Sequence, residues 1–262
     1  MKTKTAIAEA NLAEMTGLLA EVAVVLISNG ATTTRTVRNL TRIAEAFGFK
    51  VEEFVSHSAL VLTVEKQQTG EKRTLVKRIG HYHVNYSILS EVSILTWEIA
   101  GHKVAFGDIR AELEDIKQMN SYPEWVKFLF IGLATGALAM IFDGTKIEFL
   151  VAFAAAFIGI YARKLVLKLK YNNYISWFVG AFVSASVVNF CRLVGLDDHH
   201  GALTACVLWL IPGVPLMNGF LDILSGHIVS GWARVAMGVM LVFMIGVGFY
   251  LSIYVFGYGI TV

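Results

Sequence analysis

Charge, cysteine and proline are all scarce in this chain of 262 residues. Charged residues make up 16% of it and hydrophobic residues 56%, where an ordinary soluble domain carries about 25% charged residues. That composition excludes a conventional cytosolic globule and, equally, a disordered chain. A net charge of +2 with no basic stripe excludes a nucleic-acid binder. Cys191 and Cys206 are too few for a disulfide scaffold. Lacking C-x-x-C spacing, they read as small core residues. The few prolines stand at 123, 212 and 215, where they mark one boundary and one interruption. Residues 123–262 show no internal repeat.

What charge there is lies mostly in the first half. Residues 1–122 hold 14 Lys/Arg and 14 Asp/Glu, and residues 123–262 only 8 and 6. The expected fold class is therefore mixed: an N-terminal α+β domain over 1–122, then an all-α polytopic membrane domain over 123–262. Lys2 and Lys4 before an apolar stretch raise the possibility of a signal peptide. Glu9, Glu14 and Glu21 interrupt that stretch, and an amphipathic helix explains it better, with Leu12, Met15, Leu19, Val22 and Leu26 as one stripe. Asn29-Gly30 supplies its stop. A second helix over 33–47, with Arg35, Arg38 and Arg42 on a solvated face, precedes strands at 51–55, 59–66 and 73–79. Helical spacing returns over 84–100 and 106–119, so the order is α-α-β-β-β-α-α.

Chemistry in this domain is faint. His81 and His83 share a strand face but lack a third metal ligand, so surface histidines are the expected reading. Ser56, His57 and Ser58 hold the atoms of a nucleophile and a base. Adjacent strand residues point to opposite faces, and the pairing fails.

Five spans are expected near 125–142, 147–162, 174–191, 202–221 and 232–256, since about 20 residues cross a hydrocarbon core of about 30 Å. The second is short, and a re-entrant pair is the alternative there. Arg163, Lys164, Lys168 and Lys170 crowd the second link and place it in the cytoplasm, with the N-terminal domain on the same side and the C-terminus outward. A five-span unit with so little internal polarity would self-associate or join a partner. Gly132 and Gly136 form a G-x-x-x-G for helix packing.

Polar residues concentrate in Leu210–Arg234. Pro212, Gly213 and Pro215 break the helix, and freed carbonyls cannot face lipid. Asn218 and Asp222, four apart, share one face. An acid inside a bilayer costs roughly 2.5–3.5 kcal/mol on insertion scales, which makes Asp222 a candidate for proton or cation coupling; the plainer reading pairs it with Arg234. His227 could relay protons or simply sit in an interfacial loop. Arg192 could attract an anion or snorkel. Asp197, Asp198, His199 and His200 are metal-ligand types, but adjacent residues rarely converge on one ion. No cofactor, metal or catalytic residue is expected.

The run PGVPLMNGFLDILSGHIVSGWAR resembles the signature of the threonine/serine exporter (ThrE-like) family, with Pro212, Gly213, Pro215, Asn218, Asp222, Gly226, Gly231 and Arg234 as matching positions. GATTTRTVRNLTRIAEAFG, with Gly30, Thr33, Arg35 and Gly48, resembles the opening of its cytoplasmic domain. The resemblance implies a subunit of a bacterial inner-membrane exporter of a small polar metabolite, either a dicarboxylate such as succinate or an amino acid such as threonine or serine. It also implies completion by a smaller membrane subunit. Together with the acid in span four, it makes Pro212, Gly213, Pro215, Asn218, Asp222, Arg234 and Arg192 the expected substrate or proton pathway, coupled to the proton gradient. The alternative is a membrane-anchored enzyme or sensor whose activity lies in the N-terminal domain.

Overall fold

The computed structural model describes residues 11–56, 58–80, 83–119, 122–194 and 200–256. Helices α1 (Leu12–Ser28) and α2 (Thr33–Ala46) lead into strands β1 (Phe49–Val55), β2 (Ala59–Lys66) and β3 (Lys72–Arg78). Helices α3 (Tyr86–Ala100) and α4 (Ile109–Lys117) follow. The remainder is helical: α5 (Glu124–Ile141), α6 (Lys146–Lys168), α7 (Asn173–Leu193), α8 (His200–Leu210), α9 (Gly213–Leu224) and α10 (Ile228–Val255). The element order expected from periodicity is the one observed. Packing divides the chain into two compact units, Met1–Asn120 with Val214–Ala236, and Ser121–Gly213 with Met237–Val262.

The first unit is built around α1. Asn11 caps its start by accepting from the Ala13 N–H, and Asn29 with Gly30 (φ +97°) ends it, as the Asn-Gly pair predicts. Instead of one apolar stripe, most of the helix is buried, because α2, α3, α4, β2 and β3 all pack on it. The sheet is antiparallel in the order β1-β2-β3. Its covered face presents Phe49, Val55, Leu60, Leu62 and Val64 to the helices, the alternation a half-buried sheet requires. The arginines of α2 are not a solvated face. Arg35 donates to the Leu89 carbonyl (2.8 Å) and Ser93 Oγ (2.9 Å), and Arg42 donates to Thr96 Oγ1 and lies over the Trp97 ring. Only Arg38 is exposed. Two of the three thus fasten α2 to α3, using planar donors and cation–π contact.

The covered sheet face carries one acid, Glu53, level with Leu62 on β2. Burial, helped by the neighbouring charge of Glu52, pushes its carboxyl up from the ordinary 4.5 to about 7. A carboxyl raised on folding stabilises the fold below its unfolded pKa, and that contribution is lost as pH climbs through the folded one. Glu53→Gln, a mimic of the protonated acid, is therefore expected to match the wild type near pH 4.5. It should gain over the wild type steadily up to about pH 7. Unfolding midpoints of the full chain across that interval test this, and a constant difference between the two proteins contradicts it.

The second unit inverts the usual distribution of side-chain size. Its buried positions are mostly small: Ala139, Ala152, Ala155, Ala181, Ala185 and Ala205. Large residues such as Phe130, Leu150, Tyr161 and Phe243 are more than half exposed. Small residues inside and bulky apolar ones outside are what helices packing in lipid require. The G-x-x-x-G of α5 works this way: a Cβ at Gly132 would lie 2.9 Å from the Phe153 ring, and one at Gly136 2.8 Å from the Phe149 carbonyl of α6.

Among the described residues, four helices are long and apolar enough to cross a membrane, and α8 with α9, separated by a two-residue break, makes up to five spans. Two boundaries differ from expectation. The second span is not short, because α6 has 23 residues and carries Arg163, Lys164 and Lys168 within it. Arg163 stacks on Trp177, and Lys164 pairs with Glu124 at 3.1 Å, so these cations are accommodated without ending the helix. The last span begins at Ile228, a turn earlier than expected.

Candidate functional site

Helix α9 buries Pro215, Asn218, Gly219 and Asp222, one face at spacings of three and four. Pro215 does not kink it. The helix starts at Gly213, so the proline occupies the first turn, where a missing N–H costs nothing. At the other end Gly226 (φ +86°) closes the helix. The Gly226 N–H reaches the Ile223 carbonyl and the His227 N–H reaches the Asp222 carbonyl, a Schellman closure that turns the chain into α10. His227 contributes this backbone donor and is half-buried. The two helices then touch backbone to backbone. A Cβ on Gly231 would lie 2.7 Å from the Gly219 carbonyl, so only glycine permits the approach.

That approach sets Asp222 against Ser230 and Arg234 of α10. All three side chains are buried: Asp222 is 0% exposed, and Ser230 and Arg234 are each 1% exposed. The carboxylate is held chiefly by α2. The Thr33 N–H donates to Oδ1 at 2.8 Å, and Thr33 Oγ1 lies 3.0 Å from Oδ2. Ser230 Oγ is 2.9 Å from the Thr33 hydroxyl and 3.4 Å from Oδ2. A hydroxyl has one proton, so the two hydroxyls and the carboxylate form a chain of shared bonds. Since Thr32 is the N-cap of α2 and accepts from the Arg35 N–H, the Thr33 N–H is left free to meet an anion at the positive end of the helix. Asn218 makes the parallel contact one turn earlier, donating to the Gly30 carbonyl at 2.8 Å.

Arg234 is served differently. Its Nη1 lies 3.4 Å from Asp222 Oδ2, close enough to offset the charge. Yet Nε, Nη1 and Nη2 are all buried without a hydrogen-bond acceptor among the described residues. The distance makes an ion pair and the alignment does not make a hydrogen bond. A guanidinium presents five donors, and none of them meets an aligned acceptor among the described residues.

Of the residues expected to form a pathway, the structure brings Asn218, Asp222 and Arg234 into one unit, with Pro215 on the same buried face. Pro212, Gly213 and Arg192 belong to the other unit, Arg192 in the last turn of α7. Thr33, Ser230 and Gly30 complete the buried cluster, and no spacing rule pointed to them as its members. A threonine following a helix N-cap is a weak local signal, and 189 positions separate it from Asp222. Residues His57, His81, Asp197, Asp198 and His199 lie outside the described residues, as do Lys2, Lys4 and Glu9. Among the described residues no three His, Cys, Asp or Glu side chains gather to hold a metal ion.

The chain matches the family model described as "Putative threonine/serine exporter" over residues 17–256. It is 28% identical over 247 residues to a protein of Klebsiella aerogenes named "Probable succinate transporter subunit YjjP", covering 93% of this chain and 94% of that one. An Escherichia coli K12 protein of the same name is 25% identical over 246 residues, covering 93% and 95%. No solved structure matches.

Proposed function

Because the chain belongs to the threonine/serine exporter family, and is thus a membrane transporter and not an enzyme, we propose that it is one subunit of a bacterial inner-membrane exporter for a small polar metabolite, driven by the proton gradient. A dicarboxylate such as succinate is the favoured cargo, with an amino acid such as threonine or serine as the second class. A smaller, YjjB-like membrane subunit completes the transporter. The names of the two relatives, each a "Probable succinate transporter subunit", support the cargo and the presence of a further subunit.

One observation carries it: an interrupted span delivers Asp222 into full burial beside a guanidinium whose donors are unfilled. Buried charge is costly to hold unless paired and hydrogen-bonded, and intramembrane ionisable groups mark ion or substrate pathways. An arginine fork suits a carboxylate better than a neutral cargo. Asp222 and Asn218 contact the α1–α2 turn, which supports an N-terminal domain on the cytoplasmic side with the α9–α10 reversal. The basic residues at the end of α6 favour that side too.

Reconstitution with the small subunit in proteoliposomes tests the reading. Vesicles loaded with succinate or with threonine are expected to release one of them when a proton gradient is imposed, and Asp222→Asn to uncouple release from the gradient. Absence of gradient-driven release of either cargo contradicts the proposal. Normal coupling in Asp222→Asn removes Asp222 from it.

A further inference from the structure

Arg234 and Asp222 are neighbours of unequal satisfaction, and the inequality has a direction. Among the described residues, every contact of the Asp222 carboxylate other than the ion pair runs to hydroxyls or to the α2 N-terminus: Thr33 N–H on Oδ1, and the Thr33 and Ser230 hydroxyls on Oδ2. Anchored there, it stays 3.4 Å from the guanidinium and out of hydrogen-bond alignment. Were the pair structural only, the carboxylate would turn its two oxygens onto the two parallel donors of the arginine, the strongest arrangement open to it. Thr33 prevents this. What remains is a fully buried cation with its charge offset and its fork empty.

We propose that Arg234 is the residue that binds a carboxylate of the exported molecule, and that Thr33 is a positioning residue from the N-terminal domain, holding Asp222 back so that the fork is free for that carboxylate. This rests on the exporter reading and adds to it a named contact atom by atom: the planar guanidinium of Arg234 donates in parallel to the two oxygens of a small carboxylate. Asp222 remains on Thr33 and keeps the empty site electrically neutral. At 1% exposure Arg234 lies away from bulk solvent. The N-terminal domain then belongs to the transport machinery through Thr33 at the start of α2, next to the Gly30 carbonyl that accepts from Asn218.

The two residues make separable predictions in the reconstituted two-subunit transporter. Arg234→Lys keeps the charge and loses the fork, so KM for succinate is expected to rise about tenfold or more, and preference for succinate over its diamide, succinamide, to shrink. Thr33→Val keeps the backbone donor and loses the hydroxyl, freeing Oδ2 to close on Arg234. KM for succinate should rise several-fold while the maximal rate holds, and Thr33→Ser should restore it. A purely structural threonine would instead lower yield and maximal rate and leave KM alone. Should Arg234→Lys fail to accumulate, the wild-type complex decides: succinate raising its Tm while succinamide does not supports the proposal, and equal shifts overturn it. Unchanged KM in Arg234→Lys also overturns it and leaves the exporter reading standing. A wild-type complex that moves no carboxylate or amino acid fails on the exporter reading itself.

Discussion

Asp222→Ala is expected to destabilise the first unit by about 3–5 kcal/mol, the cost of stranding one partner of a buried ion pair. The substitution removes the only anion within ion-pair distance of Arg234 among the described residues and leaves a buried guanidinium with neither charge balance nor hydrogen bonds. It also takes the acceptor from the Thr33 N–H at the start of α2, and a buried donor left unpaired costs about 1–3 kcal/mol on its own. Asp222→Asn retains an oxygen for that N–H and loses the charge, so it should fall between alanine and the wild type. Removing both charges is the informative control. Asp222→Ala combined with Arg234→Leu eliminates the stranded cation and is expected to recover much of the loss. Denaturant unfolding of the full chain in detergent measures all four proteins. A single alanine variant within about 1 kcal/mol of the wild type, or a double variant worse than the single, would show that the pair is not what holds α9 and α10 to α2.

Much of this fold is legible from local pattern, because its devices are local. The apolar spacing of α1, the Asn29-Gly30 stop, the alternation of β1 and β2 and the Gly70 turn (φ +72°) are each decided within a few residues. The face shared by Asn218 and Asp222 follows from their spacing alone, and the structure buries both on one side of α9. What was hidden depends on partners far along the chain. The arginines of α2 look like a solvated face until α3 supplies Ser93, Thr96 and Trp97. Helix α6 looks short because its basic residues resemble a loop, yet Trp177 and Glu124 accommodate two of them inside a longer helix. Thr33 is an ordinary first-turn threonine until Asp222 docks on it. In each case the missing information is a tertiary partner that satisfies a polar group, and periodicity carries no record of it.

Glu148 is a second such case, and its removal is expected to be the most damaging change in the other unit. It stands in the first turn of α6, where Thr145 Oγ1 accepts from its N–H at 3.2 Å and its own Oε1 accepts from the Thr145 N–H at 3.3 Å, a reciprocal capping box. The other oxygen leaves the helix altogether. Oε2 accepts from the Ala202 N–H at 2.9 Å and so caps α8 as well. One carboxylate, 6% exposed, thus faces the positive ends of two helices. Gly201 makes room for it, since a Cβ there would lie 2.8 Å from Oε2 and 3.2 Å from the Gly144 Cα. Glu148→Ala loses two caps and leaves the buried Ala202 N–H unpaired, for an expected loss of about 2–4 kcal/mol. Glu148→Gln has one carbonyl oxygen and can serve one helix, so it should lose about half as much. The readout that separates this from a general packing defect is amide exchange. The Thr145 and Ala202 N–H groups should both exchange faster in the alanine variant, and only one of them in the glutamine variant. Wild-type protection at Ala202 in Glu148→Ala would mean that α8 is capped by some other group.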